Sequence, residues 1–530
     1  MPVISSIMGL ATNTVLFNSV SNQRGNKAHR TWGVYRIATE FRKQGYSCRV
    51  ISFFNYCSLE EIDLLLKAAI GENTKLVGFS SNFWNWIEES DLTNTIEKVN
   101  YIINYINTNY PNIKIIAGGT SSIYYLSKKL KRVHAIFQGY AENSLIKYLN
   151  SLKENKHLPF PTTYSTESET NHGNIPTYSD LNTDVFDFNS SQIIYQPEDI
   201  VGYYDFPTIE IGRGCIFKCT FCNYLLNGKN KLDYIKYVDN LREEFIKNYN
   251  DHGIQHYILG DDTFNDSTEK IKALHEILTS LPFKVRFACY LRLDLLYAHR
   301  EQLPLLKEMG LMGAFFGVET FNKKAGSLVG KAMSGERTMQ FLDDLKKIHW
   351  GQDIKISVGL IAGIPYEPLD SYEQVINWIY DWDNYVDNVV VEALNVQNPN
   401  KVAPGVWTSE FTKDAEKYGF YWPDDTDSYH GNWHNSIGPI YNRMQAKEIE
   451  DKITLAAEKA NRSITIIYTI LNVWSVAQFL DEKPTLDYLL SLSIPNLSRY
   501  MEKILMHTDA EDRYIQSYKD KLFTSLSITN

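Results

Sequence analysis

With 530 residues, 44% of them hydrophobic, the chain is too long for one ordinary domain and apolar enough to bury full cores. Its 53 basic and 63 acidic residues sum to −10, which argues against a broad nucleic-acid or anionic-membrane surface.

No basic residue precedes Arg24, so no secretory signal is expected. Strands are then expected at Thr14–Ser19, Ser47–Phe54, Lys75–Phe79, Ile113–Ala117 and Val133–Gln138. Helices are expected at Thr31–Gln44, Leu59–Ile70 and Leu92–Asn107, with a short one after Gly119 and another from Glu142 onward. This alternation predicts a Rossmann-like unit over residues 1–155, a parallel sheet that takes ligands at its strand carboxyl ends. Residues 156–205 are rich in Thr, Ser, Asn and Pro without a sustained period and read as a linker. From Pro207 the alternation resumes, with strands near 207–212, 254–259, 284–290, 312–318, 354–362 and 388–396. Helices fall near 230–248, 268–279, 301–309, 334–347 and 370–382. Six βα repeats over 206–400 predict an open, partial (β/α)6 barrel with its chemistry at the strand carboxyl ends. Residues 401–530 read as a loop-rich cover followed by helices. The most apolar run, Ile464 to Leu480, is broken by Thr469, Asn472, Ser475 and Gln478, which predicts a buried helix rather than a membrane span. The expected class is α/β in two units with a helical C-terminal region.

Of the six cysteines, three stand together in Gly212-Arg213-Gly214-Cys215-Ile216-Phe217-Lys218-Cys219-Thr220-Phe221-Cys222, directly after the first barrel strand. That is a poor disulfide framework and a good metal-ligand cluster, and it suits a reducing cytoplasm. Thiolates are soft donors that bind iron–sulfur clusters, and this spacing lets one tight loop wrap three corners of a cubane. With no fourth cysteine nearby, one iron is left open to a non-protein ligand. The alternatives are a zinc site, for which a fourth protein ligand is missing, and three unrelated core cysteines. Cys48, Cys57 and Cys289 read as buried apolar residues.

The three-cysteine spacing, with the aromatic Phe221 before the last, resembles the signature of the radical SAM superfamily. That resemblance implies a 4Fe–4S cluster whose open iron binds S-adenosylmethionine, and an electron that breaks a carbon–sulfur bond to give a 5′-deoxyadenosyl radical. It also implies an electron donor such as flavodoxin or ferredoxin. Further motifs follow in the family's order. Asp261-Asp262-Thr263-Phe264 ends the second strand, where adjacent carboxylates suit an ammonium and the family places its methionine-amino contact. Arg292 follows the third strand, where the family often directs an arginine at the cofactor carboxylate; a surface ion pair with Asp294 is the other reading. Gly317-Val318-Glu319-Thr320 is similar to the family's G-x-E-[ST] segment, with Glu319 for ribose hydroxyls or the amino group. Gly363-Ile364-Pro365-Tyr366-Glu367 resembles the family's adenine-side segment, with Tyr366 in place of a glycine.

The N-terminal unit resembles the cobalamin-binding domain that precedes many radical SAM barrels. The similarity rests on the helix block Gly33 to Gly45, Ala117-Gly118-Gly119-Thr120, and Gln138-Gly139-Tyr140-Ala141-Glu142-Asn143-Ser144. In the last stretch Tyr140-Ala141 departs from the common G-E-G-E form. The cobalt-ligating D-x-H-x-x-G signature is absent, and His29 has the wrong spacing, so His29 reads as structural. The block at 33–54 also resembles radical SAM proteins encoded by large tailed bacteriophages. The resemblance implies cobalamin as a possible second cofactor and methyl transfer to an unactivated carbon as the reaction. Radical rearrangement, cyclisation or oxidation without cobalamin is the alternative within enzymes, and a non-catalytic iron–sulfur or zinc protein the alternative outside them. The substrate, whether small molecule, peptide or nucleotide, is not legible. Trp422, His430, Trp433 and His434 are the candidates to contact it.

Overall fold

Thr14–Asn18 (β1) is a β-branched and apolar run buried along its whole length, as a strand covered on both faces must be. It pairs in parallel with β2 (Cys48–Ser52) on one side and β3 (Leu76–Ser80) on the other. β4 (Lys114–Gly119) and β5 (Ala135–Gln138) extend the sheet beyond β3, also in parallel. Between them run helices Gly33–Lys43, Leu59–Ala69, Glu89–Asn109 and Glu142–Glu154. The second begins on a capping box: the Ser58 hydroxyl accepts the Glu61 N–H, and the Glu61 carboxylate accepts the Ser58 N–H. The computed structural model describes residues 13–18, 27–81, 89–119, 130, 132–154, 162–168, 171–178, 186–223, 235–331, 333–381, 384–400, 402, 408–423, 432–463 and 466–527. The expected short helix after Gly119 lies outside them.

Part of the segment read as a linker carries regular structure. Thr162–Ser168 (β6) and Asn171–Tyr178 (β7) form an antiparallel hairpin, and β7 joins the first sheet alongside β5. An edge hairpin needs no alternating apolar face, so its threonine-rich sequence carries β propensity without the period that signals a strand. The strand order β2-β1-β3-β4-β5-β7-β6 reverses between β1 and β3, which puts the ligand crevice of such a sheet at their carboxyl ends.

The second sheet is wholly parallel in the order β13-β12-β11-β10-β9-β8, the open barrel that the six repeats predict. Its strands are β8 (Thr208–Glu210), β9 (His256–Gly260), β10 (Arg286–Leu291), β11 (Leu311–Glu319), β12 (Lys355–Ala362) and β13 (Asn388–Ala393). The first helix begins at Val238 rather than near residue 230, because Ile235 still bridges to Gly212. Leu259, Cys289, Phe316 and Val358 pack into one core with Phe245, Leu274, Leu306 and Trp350 from the surrounding helices and their ends.

A second core runs through all three regions. Val15, Phe17 and Val77 of the first sheet share it with Ile258 and Ala288 of the barrel and with Ile470, Leu471 and Trp474 of helix Ile466–Ala477. The helix of this apolar run, Ile466–Ala477, is buried from Ile470 onward and wedged between the units. Among the described residues no helix is long and apolar enough to cross a membrane.

Candidate active site at the strand carboxyl ends

The cysteine loop leaves β8 with Ile211 N–H still bonded to Gly260 O at 2.7 Å, then turns at Gly214, whose φ of +109° is glycine's territory. None of Cys215, Cys219 and Cys222 is in a disulfide, and a tight turn joins Cys222 N–H to Cys219 O at 3.0 Å. The Cys215 sulfur lies 3.2 Å from the Thr263 hydroxyl and accepts the Phe217 N–H at 3.4 Å; burial pushes its thiol pKa up. Cys219 sits 3.6 Å from Arg292 Nη1 and abuts Gly330. The Thr220 hydroxyl donates to Leu328 O at 3.1 Å, so the turn after helix Lys323–Leu328 buttresses the loop. Phe221 is half-buried against the barrel core. Among the described residues no three His, Cys, Asp or Glu side chains converge closely enough to hold a lone ion. The donor set itself, three cysteines of one loop with no disulfide among them, fits three corners of a cluster.

The two aspartates after β9 divide. Asp261 is wholly buried, accepts the Thr263 N–H at 2.9 Å and pairs with Lys270 at 3.0 Å, so its charge is spent inside the protein. That corrects its expected part in cofactor binding. Asp262 is the half-exposed one; its Oδ2 accepts the Gly214 N–H at 3.1 Å, and burial beside Asp261 lifts its pKa to about 6. It does not cap the next helix, whose cap is Ser267.

Arg292 is no surface ion pair, since it is buried with its guanidinium 4.0 Å from the Phe217 ring centroid. Nor is its fork open for a carboxylate. Nε and Nη2 donate to the two Asp294 oxygens at 3.0 and 2.6 Å, and Nη2 also donates to Gly330 O at 2.8 Å. Glu319, at the end of β11, takes a left-handed φ of +68°, and its carboxylate folds back over Gly317, where a Cβ would fall 2.5 Å from Oε1. Lys331 answers it at 3.6 Å and donates to Gly317 O at 2.6 Å, while burial raises the Glu319 pKa.

After β12, Gly363 has φ +98° and Ile364 is buried. A Cβ at Gly363 would meet Ala446 at 2.9 Å and the Trp433 ring at 3.1 Å. Trp433 is fully buried, with Nε1 donating to Leu394 O at 2.8 Å, so it is a core residue with no face to offer a substrate. His434 stays half-exposed beside Tyr421, and Trp422 is half-buried with no bonded partner for Nε1 among the described residues. His430 lies outside the described residues.

The partners of several site residues carried no signal of their own. Glu367 accepts hydroxyls from Thr320, Ser371 and Tyr372, and Tyr372 in turn accepts the Gly363 N–H at 2.9 Å, so one buried carboxyl joins the ends of β11 and β12. On the inner face the register sets Tyr290 beside Phe315 and Ile361 beside Glu392. Tyr290 OH is 3.1 Å from Tyr468 OH, and His29 stacks on Tyr468 at 4.8 Å. Burial lowers the His29 pKa to about 4, which fits its structural reading.

A doubly wound sheet followed by a partial parallel barrel, with three cysteines on the loop after the barrel's first strand, defines a two-unit α/β protein whose loop offers three thiolate donors. Residues 209–379 match the family model described as the Radical SAM superfamily, so the chain carries a radical SAM domain. Its fold is similar to that of the radical S-adenosylmethionine methyltransferase TsrM from Kitasatospora setae with cobalamin and a [4Fe–4S] cluster bound, at 13% identity and a TM-score of 0.62, over 94% of this chain and 100% of that one. It is also similar to the cobalamin-dependent S-adenosylmethionine radical enzyme OxsB with aqua-cobalamin and S-adenosylmethionine bound, at 14% identity and a TM-score of 0.57, over 98% and 84% of the two chains. No curated protein sequence matches the chain.

Proposed function

We propose that this enzyme is a cobalamin-dependent radical SAM methyltransferase acting on an unactivated carbon. The observation that carries the reading is the fold shared across both units with TsrM and OxsB, the N-terminal sheet included. When bound, a 4Fe–4S cluster with S-adenosylmethionine supplies the radical, and a corrinoid supplies the methyl group.

The chain's own part is binding and exclusion. Cys215, Cys219 and Cys222 hold the cluster, and Arg292 keeps a fixed positive charge against Cys219. Asp262, the half-exposed carboxylate of its pair, takes the methionine amino group, while Glu319 with Lys331 meets the ribose edge. Gly317, Gly363 and Ile364 present backbone to the adenine. Tyr290, Phe315 and Tyr468 wall the inner face, with the Glu392 carboxylate on the same face. A flavodoxin or ferredoxin delivers the electron, and the loop-rich stretch at 397–440 is the cover under which the substrate enters.

Anaerobic reconstitution with iron, sulfide and hydroxocobalamin, then dithionite and S-adenosylmethionine, tests this. Retained corrinoid with 5′-deoxyadenosine and S-adenosylhomocysteine among the products is the expected result. 5′-Deoxyadenosine without bound corrinoid moves the reaction to rearrangement, cyclisation or oxidation, and neither product sinks the radical reading. Any one of Cys215→Ala, Cys219→Ala or Cys222→Ala is expected to abolish 5′-deoxyadenosine and strip iron.

A further inference from the structure

Two stretches from different units, Gly139-Tyr140-Ala141-Glu142 and Gly212-Arg213-Gly214-Cys215, meet through one side chain. Arg213 is buried; its Nη2 donates to Glu142 Oε1 at 2.6 Å, and its Nε and Nη2 donate to Glu210 at 2.8 and 3.0 Å. Glu210 also accepts from Arg36 of helix Gly33–Lys43 at 3.1 Å. Two arginines and two carboxylates thus alternate across the joint: Arg36, Glu210, Arg213, Glu142. The Arg213 guanidinium lies 4.2 Å from the Tyr140 ring centroid and 4.8 Å from that of Phe188, so rings cover the Arg213–Glu142 end of this network. Tyr140 is the residue at which the stretch departs from the family's glycine-rich form.

We infer that Arg213 is a positioning residue that ties the first cysteine of the loop to the N-terminal unit, so that Glu142 tunes a cluster it never touches. Gly214, the residue between Arg213 and Cys215, is a left-handed hinge, and hinges need anchors on both sides. Arg213 supplies one anchor, and the bond from Gly214 N–H to Asp262 supplies the other. The charge balance works in the same direction. Neutralising Glu142 leaves Arg213 undercompensated in a water-poor joint two residues from Cys215, and uncompensated positive charge favours the reduced cluster. The inference rests on the cluster reading above but not on the corrinoid one.

The test is Glu142→Gln in the full chain, reconstituted with iron and sulfide and without corrinoid. The expected result is a higher midpoint potential in an EPR-monitored titration, altered g-values of the reduced cluster, and about tenfold faster iron loss to a chelator. Glu142→Asp is expected to restore all three. A Glu142→Gln protein with wild-type potential, EPR spectrum and iron retention, whatever its melting temperature, overturns the inference. Should Glu142→Gln not fold, Tyr140→Leu removes the ring over Arg213 without stranding a charge; changed g-values uphold the inference and unchanged ones overturn it. Failure of the cluster reading is distinguishable, because the wild-type protein would then bind no iron.

Discussion

Asp261 and Asp262 are neighbours with the same side chain and opposite employments. Asp261 is buried against Lys270, so Asp261→Asn leaves that ammonium to Asp266 and the Thr263 carbonyl and is expected to cost roughly 1–3 kcal/mol in urea unfolding. Asp262→Asn should leave stability near wild type and raise the KM for S-adenosylmethionine; equal destabilisation by both would refute the division. Glu367 provides a pH signature. Burial lifts its pKa from 4.5 to about 7, so the folded state holds a proton that the unfolded chain has already released over that interval. Its contribution to stability is full below 4.5 and is lost as pH rises through 7. The melting temperature of wild type is therefore expected to fall more steeply than that of Glu367→Gln between those pH values, and parallel curves would contradict it.

At the scale of elements, the strands and helices of both sheets were legible because burial imposes a period on them. The cysteine loop was legible because all three donors lie within one short stretch. The hairpin β6–β7 was not, since its stretch, rich in Thr, Ser and Asn, shows no sustained apolar period. Trp433 was misplaced for a related reason: an aromatic in a loop looks free until the helix Arg443–Lys459 and Gly363 close over it. Trp433→Ala is accordingly expected to cost about 3–5 kcal/mol in denaturant unfolding, an effect that a substrate-facing residue would not have.

Over the whole molecule, the C-terminal helix Ile466–Ala477 does what neither sheet does alone. Trp474 packs on His256 of the barrel at 4.3 Å and on Tyr203 and Tyr204 of the connecting segment, within the core that reaches β1 and β3. Trp474→Ala is expected to lower both units in one transition, with near-ultraviolet dichroism and iron release moving together; two separate transitions would mean that the units fold independently.

By itself the sequence determined the chemistry class and the order of the strands, because ligand spacing and burial period are local properties that neighbouring residues encode. Tertiary structure alone decided which of two aspartates stays half-exposed, that Arg292 is already held by Asp294, that Glu367 joins two strand ends, and that Arg213 binds one unit to the other. Each of those depends on a charge or hydroxyl brought from an element distant in the chain, and a buried charge takes the partner that folding places beside it.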